Sequence, residues 1–132
     1  MNHSAFDILL RGVFTSNKVI VERVGSSRDS SRDGGLSRPW DREKQRLGKR
    51  LFDGAMCRYE GHEVVDGRLV LRVSRTSYRV FVNTNLFGPR DLPAACRCNP
   101  IGVSATLECA DGVLLFGRRG SGVAYYPNRL HP

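Results

Sequence analysis

Four cysteines are among the residues of this chain whose type could hold a metal, and thiols can also perform redox chemistry. Cys96-Arg97-Cys98 places two of them one residue apart, whereas common zinc sites use a C-x2-C spacing with further His or Cys nearby. Cys57 and Cys109 stand alone. The N-terminus has neither the basic start nor the apolar stretch of a secretory signal. We therefore expect reduced thiols with structural or incidental roles, and no metal site.

The charge of the chain limits its partners. Its 132 residues, enough for one domain, carry 21 Lys and Arg against 13 Asp and Glu, a formal net charge of +8. Such an excess favours nucleotides, nucleic acid or acidic surfaces, and is also typical of a solvated basic surface. The longest apolar run, at 113–116, is far shorter than the roughly 20 residues of a membrane span. We expect a cytoplasmic protein with no membrane partner.

Short strands and one helix must position any site in the first half of the chain. Apolar residues at every second position from Phe6 to Leu10, a turn at 15–18 and the run Val19-Ile20-Val21 predict a β-hairpin. Residues 26–38 offer almost nothing to bury and predict a flexible linker. Residues 38–50 predict a helix with acids early and bases late, which complements the helix dipole. Its start can be capped by Ser37, and its narrow apolar stripe consists of Trp40, Leu47 and Leu51.

Two further hairpins are predicted downstream. Asp66-Gly67 is a strong turn dipeptide within residues 55–73, and Asp111-Gly112 joins strands at 101–109 and 113–119. Between the hairpins, Thr76 or Ser77 can cap a short helix, although a strand competes there. The second hairpin is the most apolar part of the chain, so we expect it to be central in its sheet. The residues after it read as a loop, with no helix to cover the sheet.

Three separated segments carry a family resemblance when they are taken together and in order. They contain Trp40, Arg46, Leu51-Phe52-Asp53-Gly54 and Arg58, then Thr76 to Arg79, Phe81 and Thr84-Asn85, then Asn99 to Val103, Ala110-Asp111-Gly112, Phe116, Arg118-Arg119 and Val123-Ala124. In this arrangement the chain resembles the N-terminal part of Nudix hydrolases of the UDP-glucose-hydrolysing type. The resemblance is weak over 6–24 and strong over 40–132.

The resemblance implies a fold and an activity. The fold is a partial Nudix α/β/α sandwich of the α/β (α+β) class, with a mixed, mostly antiparallel sheet and a small N-terminal subdomain. The chain then divides into an N-terminal hairpin at 1–25, the linker at 26–38, the subdomain with substrate contacts at 39–99 and the start of the Nudix core at 100–132. Members of this branch cleave UDP-glucose to UMP and glucose 1-phosphate, with magnesium held by the glutamates of the Nudix box.

That box is missing from the sequence. Its carboxylates gather the cations that neutralise a diphosphate and position water. The glutamates of this chain are Glu22, Glu43, Glu60, Glu63 and Glu108, and they form no Arg-Glu-x-x-Glu-Glu cluster. In the family, the loop matching 125–132 leads directly into the box. We therefore expect the substrate-binding half of such an enzyme, truncated before the box, with no catalytic residue and no magnesium of its own.

The resemblance also assigns substrate contacts. The matching positions are Phe52, Tyr78, Arg119, Ala124 and His131, of which His131 differs from the residue that relatives carry. An aromatic ring can stack on uracil, and a guanidinium can bind two phosphate oxygens at once. Asn83 replaces a glycine of the family, which places the local backbone in question. Without the resemblance, Phe52 and Tyr78 would read as core and Arg119 as solvated surface.

Two other functions fit the same residues. The basic stretch from Arg38 to Arg50 could be the footprint of a non-catalytic module that contacts RNA or a protein. It lacks interleaved aromatic residues, so a nucleotide-sugar small molecule is the expected partner and nucleic acid is not. An inactive truncated gene product is the other alternative.

Overall fold

A three-stranded sheet is the largest element of the computed structural model, which describes residues 8–25 and 37–131. Its strands are β1 (Val19–Arg23), β2 (Ala55–Val65) and β3 (Arg68–Ser77), in the order β1-β3-β2. Helix α1 spans Ser37–Leu47 and continues as a 3-10 turn at Gly48–Arg50, and α2 (Tyr78–Phe81) continues as a π-helical turn at Val82–Leu86. Short 3-10 turns lie at Ser16–Lys18 and Ala94–Cys96.

Two small antiparallel sheets follow. Strand β4 (Leu107–Glu108) pairs with β5 (Leu114–Leu115), and β6 (Gly117–Arg118) pairs with β7 (Leu130–His131). Helices combined with mixed and antiparallel sheets confirm the predicted α/β (α+β) class. None of the helices among the described residues is both long enough and apolar enough to cross a membrane.

The β2-β3 hairpin forms as the sequence predicts. Asp66 and Gly67 both have positive φ, 50° and 70°, which is the geometry of the two-residue turn that matches the twist of paired strands. Val65 lies opposite Arg68, directly across the turn. The predicted turn is therefore confirmed.

The predicted N-terminal hairpin is wrong in its pairing. Residues 8–15 form no strand, and β1 pairs in parallel with β3, with Val19 opposite Leu69. Parallel strands need a long crossover connection, and α1 and β2 both lie between β1 and β3 in the chain. Local alternation indicates a strand but not which neighbour it will join. Phe6, like the predicted linker at 26–36, lies outside the described residues.

The core of the described structure lies beneath α1. Trp40, Leu47 and Leu51 are buried together with Val82, which confirms the apolar stripe read from the sequence. The side chain of Ser37 is not described, but the backbone N–H of Trp40 donates to Oδ1 of Asn83 at 2.8 Å. This bond satisfies one of the donors that a helix start leaves unpaired.

Asn83 thus accepts a hydrogen bond through its buried Oδ1, while its Nδ2 has no partner among the described residues. It is fully buried and lies in the π-helical turn, with no positive φ to strain it. The sequence analysis left its backbone in question, because the family resemblance implies a glycine at this position. In this chain, the side-chain amide supplies the acceptor for the first turn of α1.

Helix α2 forms in preference to the competing strand, but its cap comes from elsewhere. Ser77 is extended and makes no side-chain cap. Instead, the N–H of Tyr78 donates to the carbonyl of Gly54, and the N–H of Arg79 donates to Oδ1 of Asp53, both at 2.9 Å. Two segments of the family resemblance are therefore in direct contact.

Polar side chains hold the connection after α2 against the sheet. The N–H of Cys98 donates to Oγ1 of Thr84 at 2.9 Å and to Oδ1 of Asn85 at 3.1 Å. The thiol of Cys98 is buried, lies 3.3 Å from the Thr76 hydroxyl, and has its pKa raised by burial. Cys98 therefore packs as a structural thiol, whereas Cys57, Cys96 and Cys109 are exposed.

The second apolar hairpin is not central in a sheet, contrary to the prediction. Its turn forms, with φ 81° at Gly112 and a 2.8 Å bond from the Cys109 N–H to the Val113 carbonyl. The predicted strand at 113–119 divides into β5, which pairs with β4, and β6, which pairs with β7, and Leu115 remains 50% exposed. The predicted loop after Tyr125 also turns back, since Leu130–His131 pairs with β6. The apolar composition predicted that these residues form strands, but it did not show that no other described element would cover them.

Candidate substrate-binding site

Tyr78 and Ala124 both pack against the edge of the core. Tyr78 begins α2, and both residues are half-buried and pack against the cluster under α1. Burial raises the pKa of Tyr78, and the nearby guanidinium of Arg119 opposes this rise. Of the five predicted substrate contacts, Tyr78 and Ala124 therefore border the same apolar cluster, and Arg119 lies within electrostatic reach of Tyr78.

A loop at 119–129, between β6 and β7, carries two of these residues. Its base is closed by two bonds of 2.9 Å, from the Arg119 N–H to the Arg129 carbonyl and from the Asn128 N–H to the Arg119 carbonyl. Positive φ angles at Tyr126 and Asn128 turn the chain back towards β7. The Arg119 side chain is half-buried, and within the described structure its Nε is buried without a hydrogen-bond partner. Arg119 is therefore more than a solvated surface residue.

Phe52 and His131 occupy more open positions. The Phe52 side chain is 72% exposed, so it is not the core residue that its type alone would suggest. It lies two residues before Gly54, whose carbonyl accepts the N–H of Tyr78, and therefore near the start of α2. His131 is exposed on β7 opposite Gly117, whereas Ala124 reaches the core from the middle of the loop.

Tyr125 belongs to this region too, and sequence reasoning did not single it out. Its ring centroid lies 6.4 Å from that of Tyr78 and 6.0 Å from that of Phe87, within the range of favourable aromatic pairs. Its hydroxyl donates to Oε2 of Glu43 at 3.4 Å. Burial and the Glu43 carboxylate raise the pKa of Tyr125 to about 12.

Glu43 is the buried carboxylate of α1. Only 4% of its surface is exposed, and Arg46 donates to Oε2 from Nη2 at 2.5 Å and from Nε at 3.1 Å. The hydrogen bond from Arg46 lowers the pKa of Glu43. The spacing of Glu43 and Arg46 could have indicated this ion pair from sequence. The contact with Tyr125, 82 residues away, could not be read there.

The carboxylates of residues 8–25 and 37–131 form no cluster that could hold a metal ion. Four of the five glutamates, which lie on β1, α1 and β2, are paired with arginines: Glu22 and Glu63 with Arg72, Glu60 with Arg58, and Glu43 with Arg46. Within 8–25 and 37–131, no group of three or more His, Cys, Asp or Glu is arranged to hold a metal ion. The donors described here therefore do not fit the cation cluster that the family resemblance implies.

Comparison with known proteins supports the family resemblance at a coarse level. No protein-family model matches the chain. The chain is 28% identical over 117 residues to Nudix hydrolase 9 from Arabidopsis thaliana. The match covers 75% of this chain and 37% of that protein, so the chain spans little more than a third of the length of this curated relative. A Nudix-type similarity is supported, and the nucleotide-sugar substrate stays a prediction.

Proposed function

We propose that this chain is the substrate-binding part of a Nudix-type hydrolase that acts on a nucleoside diphosphate sugar. UDP-glucose, cleaved to UMP and glucose 1-phosphate, is the substrate class that the sequence resemblance favours. The observation that carries the proposal is the half-buried Arg119, whose Nε has no described acceptor, in the loop whose Ala124 packs, like Tyr78, against the cluster under α1. The similarity to a plant Nudix hydrolase supports the same family.

The chemistry of these groups suits a nucleoside diphosphate. The guanidinium of Arg119 is half-buried, and its Nε has a hydrogen to donate that no described group accepts. A diphosphate oxygen can supply that acceptor and the negative charge that a partly desolvated guanidinium favours. The rings of Tyr78 and exposed Phe52 offer faces on which a nucleobase can stack.

Binding and cleavage are separable in this proposal. Hydrolysis of a diphosphate in this family depends on clustered carboxylates with magnesium, and the glutamates described here are dispersed in ion pairs. We therefore expect the purified chain to bind UDP-glucose without releasing UMP in the presence of magnesium. Magnesium-dependent release of UMP at ordinary enzyme rates would contradict this part of the proposal.

Isothermal titration calorimetry of the purified chain with UDP-glucose tests the binding. Arg119→Lys keeps the charge but loses the planar fork, so the affinity should fall roughly tenfold, the equivalent of about 1.4 kcal/mol. Arg118→Lys is the matched control because Arg118 is the exposed neighbour, and it should change the affinity less than about twofold.

Two further ligands, uridine and inorganic diphosphate, test whether Arg119 binds the diphosphate group. Uridine lacks the diphosphate, so its weaker binding should not depend on Arg119. Inorganic diphosphate should bind more weakly to Arg119→Lys than to the unchanged chain. The proposal fails if UDP-glucose does not bind, or if single-stranded RNA binds tightly and UDP-glucose does not compete with it, as a basic binding module would predict.

A further inference from the structure

The loop at 119–129 holds the only described residues after Ile101 that are half-buried. Arg119 and residues 123–125 are shielded, while every other residue from 102 to 131 is exposed. The side chains of Ala124 and Tyr125 are the part of this region that packs against the cluster under α1. The position of Arg119 relative to Tyr78 therefore depends on how firmly this short stretch is held.

Tyr125 makes the polar contact of that stretch with the helix. Its ring lies between Tyr78 and Phe87, and its hydroxyl points to Oε2 of Glu43. The same oxygen accepts both hydrogen bonds from Arg46, which orients the carboxylate from the exposed side of α1. At 3.4 Å the hydroxyl contact is a long hydrogen bond, and it adds to the ring packing a polar contact between the loop and α1.

We propose that Glu43, acting through the hydroxyl of Tyr125, is a positioning residue that holds the 119–129 loop against α2 and so places Arg119 beside Tyr78. The inference rests on the proposed function for its effect on nucleotide binding. The loop contact itself is independent of any ligand. Neither Glu43 nor Tyr125 needs to touch the substrate.

Hydrogen exchange measured by mass spectrometry tests the loop contact without a ligand. Tyr125→Phe keeps the ring and removes the hydroxyl, and Glu43→Gln removes the charge but keeps the shape. Both variants should exchange the amides of 119–129 at least threefold faster than the unchanged chain, with β2 and β3 unaffected. Tyr126→Phe is the matched control, because Tyr126 is 66% exposed and should leave the exchange unchanged.

The affinity for UDP-glucose tests the positioning role. Tyr125→Phe should weaken binding about threefold to fivefold in the unchanged chain and have little effect once Arg119 is lysine, because its influence passes through Arg119. An equal loss in both backgrounds would overturn the positioning role. Unchanged exchange in both Tyr125→Phe and Glu43→Gln would overturn the loop contact. If the unchanged chain binds no UDP-glucose, the proposed function fails while the exchange experiment still decides the contact.

Discussion

The region from 37 to 101 and the region from 102 to 131 both contain many apolar residues, yet they differ in burial. Leu51 and Val82 in the first region are fully buried, whereas Val103 and Leu107 in the second are 95% and 63% exposed. The first region sets a helix against side chains of α2 and the turn that follows it. The second consists of two-stranded pairs that satisfy backbone hydrogen bonds but enclose nothing.

The difference shows that strand pairing and core formation are separate events. A two-stranded hairpin is marginal in water unless another layer covers its apolar face. In the described structure, Ala124 and Tyr125 of the second region pack against the core of the first. The candidate site therefore lies where a packed region holds a weakly packed one.

Truncating one leucine in each region should give the largest difference in stability between paired variants. Leu51→Ala removes a side chain that is fully buried and should lower the free energy of unfolding by about 2–5 kcal/mol. Leu115→Ala removes one that is 50% exposed and should change it by less than about 0.5 kcal/mol. Urea unfolding followed by the fluorescence of Trp40 measures both. Equal losses would mean that the second region is buried in the folded protein.

A methyl group added to a glycine in each region should have the next largest effect. A Cβ on Gly88 would lie 2.5 Å from the carbonyl oxygen of Asn83 and 2.7 Å from that of Thr84, whereas a Cβ on Gly102 meets nothing within 4 Å. Gly88→Ala should cost about 1–3 kcal/mol of stability because backbone atoms must move, and Gly102→Ala should be neutral. The comparison breaks down if the thermal midpoints of the two variants are equal.

The pH dependence of stability tests the ion pair at the junction. Since the pKa of Glu43 is lowered in the folded chain, its ionised form stabilises the fold above the unfolded carboxyl pKa of about 4.3, and this contribution is lost as the pH falls through the folded value. Glu43→Gln should lower the free energy of unfolding by about 1.5 kcal/mol at neutral pH. The difference in the free energy of unfolding between this variant and the unchanged chain should become smaller at acidic pH. A difference in the free energy of unfolding that does not change with pH would argue against an ion pair between Glu43 and Arg46.

Removal of the α2 cap should have the smallest effect. Asp53→Ala deletes the acceptor for the Arg79 N–H and should lower stability by about 1 kcal/mol, while Asp91→Ala, at an exposed turn, should not. Chemical denaturation of the two variants side by side measures the difference. Equal stabilities would show that the carbonyl of Gly54 alone is enough to start α2.

Several elements could be predicted because their cause is local. Asp66-Gly67 and Asp111-Gly112 turn the chain where the sequence indicates, and the stripe from Trp40 to Leu51 faces the core. The substrate contacts stay predictions from the resemblance. Tyr78 and Ala124 each pack against the cluster under α1, and the contact of Tyr125 with Glu43 gave no sequence signal.

What the sequence determined by itself is therefore the short-range structure: turn dipeptides, the amphipathic face of α1 and the residue types that can bind an anion or stack on a base. Only the tertiary structure decided that β1 joins β3 in parallel, that Asn83 and Asp53 cap helices distant from them in the chain, and that the second hairpin stays exposed. The physical reason is that backbone propensity and alternation act over a few residues. Pairing, capping by distant side chains and burial depend on which surfaces the folded chain brings together.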